Sequence, residues 1–305
     1  MEIAAVLGAV PHVAARQSTP TFRTETRLVV LHATVKTDRG AEVVDLDQRA
    51  FTVYENGKQQ PITLFRRDDI PVSLGLLIDN SGSMRRLRER VEVAALSFVR
   101  ASNPLDKVFV VNFADKARID MPFTRDPATL AAGIARVDSI GGTALRDAVA
   151  MSERYLGDEA AYDRRVLLVI TDGRDNASTA TWREIQQAAE QTDTSLYAIG
   201  LFGDDSSAAA RQGRHELARL TDHTGGAAYY PSSIDQVQSV VTDLARQIRN
   251  QYTIAYAPTN QALDGTYRRV RVEARGREPL IVHTRAGYTA QRTSGPAKQQ
   301  LDERK

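Results

Sequence analysis

Asp79-Asn80-Ser81-Gly82-Ser83 stands between a short apolar run, Val72 to Ile78, and a segment with Leu87, Val91, Ala94, Ala95 and Phe98 at helical spacing. A parallel strand of an open α/β sheet ends in this way, and such sheets gather ligands at the carboxyl ends of their strands. One carboxylate and two hydroxyls at i, i+2 and i+4 can turn toward a single point. They offer hard oxygens, which suit Mg²⁺ or Mn²⁺ and not a soft metal. The same residues also read as a helix N-cap, with Ser83 accepting a backbone N–H of the first turn.

Outward from this stretch, strands and helices alternate. Val108–Phe113 reads as a second buried strand and Ala117–Met121 as a short edge strand, with a short helix at Leu130, Ile134 and Val137. Gly141-Gly142-Thr143 opens a helix with Leu145, Ala148, Val149 and Leu156 on one face. Arg164–Ile170 is the clearest buried strand and ends in Thr171-Asp172-Gly173. A helix from Trp182 to Glu190, a strand at Ser195–Ile199 and a helix around His215–Leu220 follow. A short strand at Ala227–Tyr230 and a helix from Ile234 to Ile248 complete the series. Such alternation predicts a doubly wound, mostly parallel sheet with helices on both faces, over residues 71–250.

Both flanks read as β. Leu28–Val35 is β-branched, and Phe51–Tyr54 leads into Asn56-Gly57, a hairpin signal from which Ile62–Phe65 returns. After Asn250, Tyr252–Tyr256 and Leu280–Thr284 read as strands. Between them Val270, Val272 and Ala274 alternate with charged residues, as in a half-buried antiparallel strand. Two β flanks around one α/β insert most simply make one sandwich from both chain ends, residues 21–70 with 251–290. Residues 1–20 read as the remnant of an export signal or as a disordered start, with Val13-Ala14-Ala15 resembling a cleavage site. Residues 291–305 are polar and unpatterned, and predict a disordered tail.

The 305 residues are 42% hydrophobic and 26% charged, as in a soluble globular protein. A net charge of +2 gives no ground for nucleic acid as a partner. Without cysteine there is neither a disulfide nor a thiolate metal site. No apolar run approaches the roughly 18 residues of a membrane span, so no transmembrane segment is expected.

Three loops thus stand beside strand ends or helix starts: Asp79-x-Ser81-x-Ser83, Gly142-Thr143 and Thr171-Asp172-Gly173. With these residues the chain resembles a von Willebrand factor type A domain. Its metal-ion-dependent adhesion site has the pattern D-x-S-x-S, then Thr, then Asp, and all five positions are present. The resemblance covers roughly residues 71–249. It implies that the hydroxyls of Ser81, Ser83 and Thr143 bind the metal, with Asp79 and Asp172 acting mainly through bound waters and hydrogen bonds. It also implies that Gly82 and Gly142 permit close approach and that Gly173 turns with φ > 0. Phe51-x-Val53-Tyr54-Glu55-Asn56-Gly57, Asp264-Gly265-x-Tyr267-Arg268 and Arg285-x-Gly287-Tyr288 are similar to a bacterial group of these proteins. That group is abundant in acidobacteria and is often predicted to be exported.

The expected function is a non-catalytic, metal-dependent binding module, exported to periplasm or exterior. Three neutral hydroxyls leave the ion electron-poor, so a partner protein's Asp or Glu completes its shell. Arg85, Arg86, Arg146 and Arg174 either favour an acidic partner or form a solvated surface. Two alternatives stand beside this: a structural role with the ion as a loop staple, and a Mg²⁺-dependent hydrolase. Aspartyl phosphatases use D-x-D-x-[ST], and Ser81 occupies the second Asp position. The five histidines are scattered, as surface or satisfied core. Tyr252, Tyr256, Tyr267 and Tyr288 read as sandwich core or rim, Trp182 as packing on its own helix, and Arg268-Arg269-x-Arg271 as a solvated strand face.

Overall fold

The computed structural model describes residues 28–67, 69–136 and 141–290. The expected signal remnant, the expected tail and Val137 lie outside the described residues. In chain order, the first flank holds β1 (Val29–Thr37), β2 (Phe51–Glu55), β3 (Lys58–Gln60) and β4 (Ile62–Arg66). The insert holds β5 (Ser73–Asp79), α1 (Arg88–Ala101), β6 (Lys107–Phe113), β7 (Ala117–Thr124), α2 (Pro127–Ile134) and α3 (Leu145–Glu159). It continues with β8 (Arg165–Thr171), α4 (Trp182–Thr192), β9 (Thr194–Gly200), α5 (Ala208–Asp222), β10 (Ala228–Tyr229) and α6 (Val237–Arg249). The second flank holds β11 (Tyr252–Tyr256), β12 (Tyr267–Ala274), β13 (Leu280–His283) and β14 (Gly287–Thr289).

The insert is a six-stranded sheet in the order β10-β9-β8-β5-β6-β7, parallel except for β7. Every residue of β5 is buried, which explains its unbroken apolar run. Leu74, Leu76 and Ile78 face one way, into a core with α1, α2 and α6; Leu77 faces the other, toward α3, α4 and α5. Gly75 is required by packing: a Cβ there would lie 2.4 Å from Phe109 Cζ and 2.5 Å from Leu167 Cδ2. The strands that follow β5 depart to opposite sides of it, β6 on one edge and β8 on the other. The carboxyl end of β5 is therefore the switch point of the sheet, where adjacent loops splay and leave a crevice.

The flanks form two four-stranded sheets, β13-β1-β11-β4 and β14-β12-β2-β3, packed over one apolar cluster. β4 and β11 are antiparallel neighbours, with Arg66 opposite Thr253, so the insert leaves and re-enters the sandwich at one place. Tyr252, Tyr256 and Tyr288 are core, while Tyr267 is exposed. Tyr256 and Tyr288 both donate to the buried Glu55 carboxylate, at 2.8 and 2.7 Å.

Two sequence expectations are corrected here. The strand that returns from Asn56-Gly57 is Lys58–Gln60; Ile62–Arg66 crosses to the other sheet. Asn56 and Gly57 both have φ > 0 (48° and 81°), the geometry of a two-residue turn that reverses the chain at once. Arg268 is not solvated: it is buried and pairs with Asp264 at 3.0 Å. Arg269 and Arg271 are exposed, as expected. Among the described residues no helix is long and apolar enough to cross a membrane.

Candidate metal centre

Asp79 is the last residue of β5 and is fully buried. Its Oδ1 accepts the Ser81 N–H at 2.8 Å, which bends the chain so that Ser81 faces the same point. Its Oδ2 accepts the hydroxyl of Thr171, from the end of the adjacent strand β8. Ser81 Oγ lies 3.1 Å from Ser83 Oγ, and Ser83 donates to Asp172 Oδ1 at 2.8 Å. Ser83 caps no helix; it is exposed and sits within a 3-10 turn, Gly82–Arg86. Hydrogen bonds thus link Asp79, Ser81, Ser83 and Asp172 in one chain across two strand ends.

Thr143 arrives from a third loop. It is buried, and its Oγ1 lies 3.2 Å from where a Cβ on Gly173 would stand, beside Asp172. The glycines divide their roles differently from the expectation. Gly173 has no positive φ and instead makes room for Thr143; Gly141 is the one in this loop with φ > 0, at 102°. Gly142 permits close approach, since its Cβ would fall 2.4 Å from Asn176 Oδ1. Gly82 has nothing nearer than 4.0 Å to such an atom. Its N–H reaches Gly141 O at 3.4 Å, which ties the first loop to the second.

The electrostatics of this cluster suit a cation. Burial pushes the Asp79 carboxyl up to about 6, against the pull of bonds from Thr171 and Ser81, and the nearby Asp172 charge adds to the rise. Burial also raises Asp172, opposed by its bond from Ser83. Among the described residues no lysine or arginine pairs with either carboxylate. Nor do they contain any group of three or more His, Asp or Glu that could hold a metal. The available donors are therefore two carboxylates and three hydroxyls, an all-oxygen set that fits a hard divalent ion.

Several residues of the site carried no signal of their own in the sequence. Thr171 directly precedes Asp172, but only the pairing of β5 with β8 turns it onto Asp79. Asn80 is clamped by the buried Arg88, whose guanidinium also reaches the Ile134 and Arg136 carbonyls. Arg146 is no free surface charge: it pairs with Asp175 at 3.2 Å. Arg86 and Arg174 are exposed. Trp182 stands between Arg219 and Arg146, 4.7 and 5.7 Å from its ring centre. His32 is held down to about 3 by burial, with the Arg164 and Arg285 charges adding. It lies in the sandwich, opposite Thr253.

Residues 74–174 match the family model of the von Willebrand factor type A domain. Among solved structures, a von Willebrand factor type A protein from Catenulispora acidiphila aligns over 90% of this chain and 76% of its own, at 13% identity and TM-score 0.51. Proximal thread matrix protein 1 of the mussel byssus, solved with zinc in its MIDAS motif, aligns over 64% of this chain at 17% identity and TM-score 0.52. That match takes in 50% of the mussel protein's length. At such identities the likeness is one of fold. No curated protein matches the chain in sequence.

Proposed function

This chain carries a von Willebrand factor type A domain, and from that premise we propose that it is an exported, non-catalytic module that captures an acidic side chain of another protein through a divalent ion. The ion is Mg²⁺ or Mn²⁺. Ser81, Ser83 and Thr143 hold it through their hydroxyls, while Asp79 and Asp172 act through water and through hydrogen bonds to those hydroxyls. Bound there, the ion supplies a Lewis-acidic position for an incoming carboxylate.

The observation that carries this reading is the orientation of the Ser83 hydroxyl. It donates to Asp172 and can accept from Ser81 with one lone pair, which leaves the other for a cation, and the residue is exposed. Buried Asp79 meanwhile accepts from the Ser81 N–H and from Thr171, both neutral groups. Two carboxylates oriented by neutral donors, with no lysine or arginine in salt-bridge contact among the described residues although the Arg88 charge is felt at Asp79, retain negative field for an added ion. The loops are already joined by hydrogen bonds, which weighs against an ion whose sole duty is to staple them. Ser81 in place of a second aspartate weighs against a phosphatase, which uses that residue for proton transfer.

Calorimetric titration with Mg²⁺ and Mn²⁺ should show one site, lost in Asp79→Ala. Pull-downs should recover a partner from wild type, and should lose it with EDTA or in Thr143→Ala. Binding that survives both treatments sinks the proposal.

A further inference from the structure

The helix that presents Thr143 has no N-cap of its own. Ala144 stands at the cap position of α3 and makes no side-chain hydrogen bond. Yet the first turn of any helix leaves N–H groups in need of acceptors. Here the Arg146 and Asp147 N–H groups of that turn find acceptors in another loop, and the Gly142 and Thr143 N–H groups, which precede the cap, are held as well. The Gly142 N–H donates to Asp115 Oδ1, in the β6–β7 turn, at 2.6 Å. The Thr143 N–H donates to Asn176 Oδ1 at 2.8 Å, the Arg146 N–H to Asp175 Oδ2 at 2.7 Å, and the Asp147 N–H to Ser178 Oγ at 3.1 Å.

Three of these four acceptors belong to one short segment, Asp175 to Ser178, in the loop that begins with Asp172. The segment also returns the bond: the Asn176 and Ala177 N–H groups both donate to Thr143 O, at 3.1 and 3.3 Å. The Thr143 residue is therefore gripped at its N–H and at its C=O by Asn176. Asp175 is itself held, accepting from the Ser178 N–H at 3.1 Å and from its hydroxyl at 2.6 Å. Those bonds, with the one from Arg146, keep its carboxyl below the usual range despite burial. Its charge also faces the positive end of the α3 dipole.

We propose that Asp175 and Asn176 are positioning residues of the metal site. Asp175 caps the first turn of α3 and Asn176 clamps Thr143 just before it, both from the loop that carries Asp172; together they fix the Thr143 hydroxyl beside that carboxylate, and so set the affinity for the cation without touching it. This rests on the metal-binding reading above. The physical reason is that ligands from separate loops bind well only when their spacing is preset. Groups that orient ligands through hydrogen bonds typically account for 10–100-fold in metal affinity, an order-of-magnitude range.

The test uses the full chain, with Mn²⁺ titrated by calorimetry, melting in EDTA, and amide exchange of residues 142–147 in the metal-free protein. Asn176→Ala should bind Mn²⁺ about 10–100-fold more weakly, exchange faster at Thr143, and melt in EDTA within about 5 °C of wild type. Asn176→Asp, which keeps the Oδ1 acceptor, should restore wild-type affinity or better. Asp175→Ala, with Asp175→Asn as its rescue, gives a second reading of the same kind should Asn176→Ala fold poorly. Wild type that binds Mn²⁺, with Asn176→Ala and Asp175→Ala binding within about twofold of it, overturns the positioning role alone. Wild type that takes no Mn²⁺ overturns the metal reading, and this role with it.

Discussion

Thr171 gives its hydroxyl proton to the buried Asp79 carboxylate, joining the ends of two neighbouring strands beside Ser81 and Asp172. The bond opposes the burial that raises Asp79, and it leaves the Oδ1 atom to order Ser81. Thr171→Val keeps the shape and removes the donor. Calorimetry should then show Mg²⁺ affinity lowered by about tenfold, with one site retained. Equal affinity in the two proteins would count against any part for Thr171 in the site.

The raised Asp79 carboxyl also sets a pH dependence. A divalent ion is attracted to the ionised carboxylate and gains little from the neutral acid, so affinity should be flat above about 6 and fall below it. The fall should approach about tenfold per pH unit for one proton displaced. In the metal-free protein the sign is opposite. A carboxyl raised in the folded state favours folding below its unfolded value, and that contribution is lost as pH rises through about 6. Titrations from pH 5 to 8, paired with melts in EDTA, read both trends.

Glu153 offers a pH effect remote from the metal. It is fully buried on α3, and its Oε2 accepts from Thr192 at 2.5 Å and Thr194 at 2.8 Å. Burial pushes its carboxyl up to about 7 despite those bonds. Stability should therefore decline as pH rises from the usual carboxylate range through about 7, by up to about 3 kcal/mol. Glu153→Gln should flatten that slope in denaturant titrations at pH 5 and 8. A variant with the wild-type slope would exclude Glu153 as its source.

Gly75 is the packing prediction. Its missing Cβ leaves the space that Phe109 and Leu167 fill from the neighbouring strands. Gly75→Ala should cost about 1–3 kcal/mol through overpacking, read as a lower urea midpoint with unchanged slope. A neutral result would mean that the central sheet spreads without cost.

The parts of this molecule that follow local rules were legible early. β5 and β8 announce themselves as apolar runs because both faces of a central parallel strand are covered. Asn56-Gly57 marks a hairpin, although not the strand that returns from it, because the turn reverses the chain sooner than the next apolar run begins. Arg268 follows the alternation of β12, sharing the inward face of Val270 and Val272 while Arg269 and Arg271 face solvent; what its residue type concealed is the ion pair with Asp264 that accompanies this burial.

By itself, then, the amino-acid order determined the layers, the strand ends and the three loops that bear Asp79, Ser81, Ser83, Thr143 and Asp172. These depend on hydrophobic periodicity and turn chemistry, which act over a few residues. Only the tertiary structure decided how the loops are locked: Thr171 onto Asp79, Ser83 onto Asp172, and Asn176 around Thr143. Such bonds join groups tens of residues apart, and their partners are chosen by strand order and close packing, so no local pattern can record them.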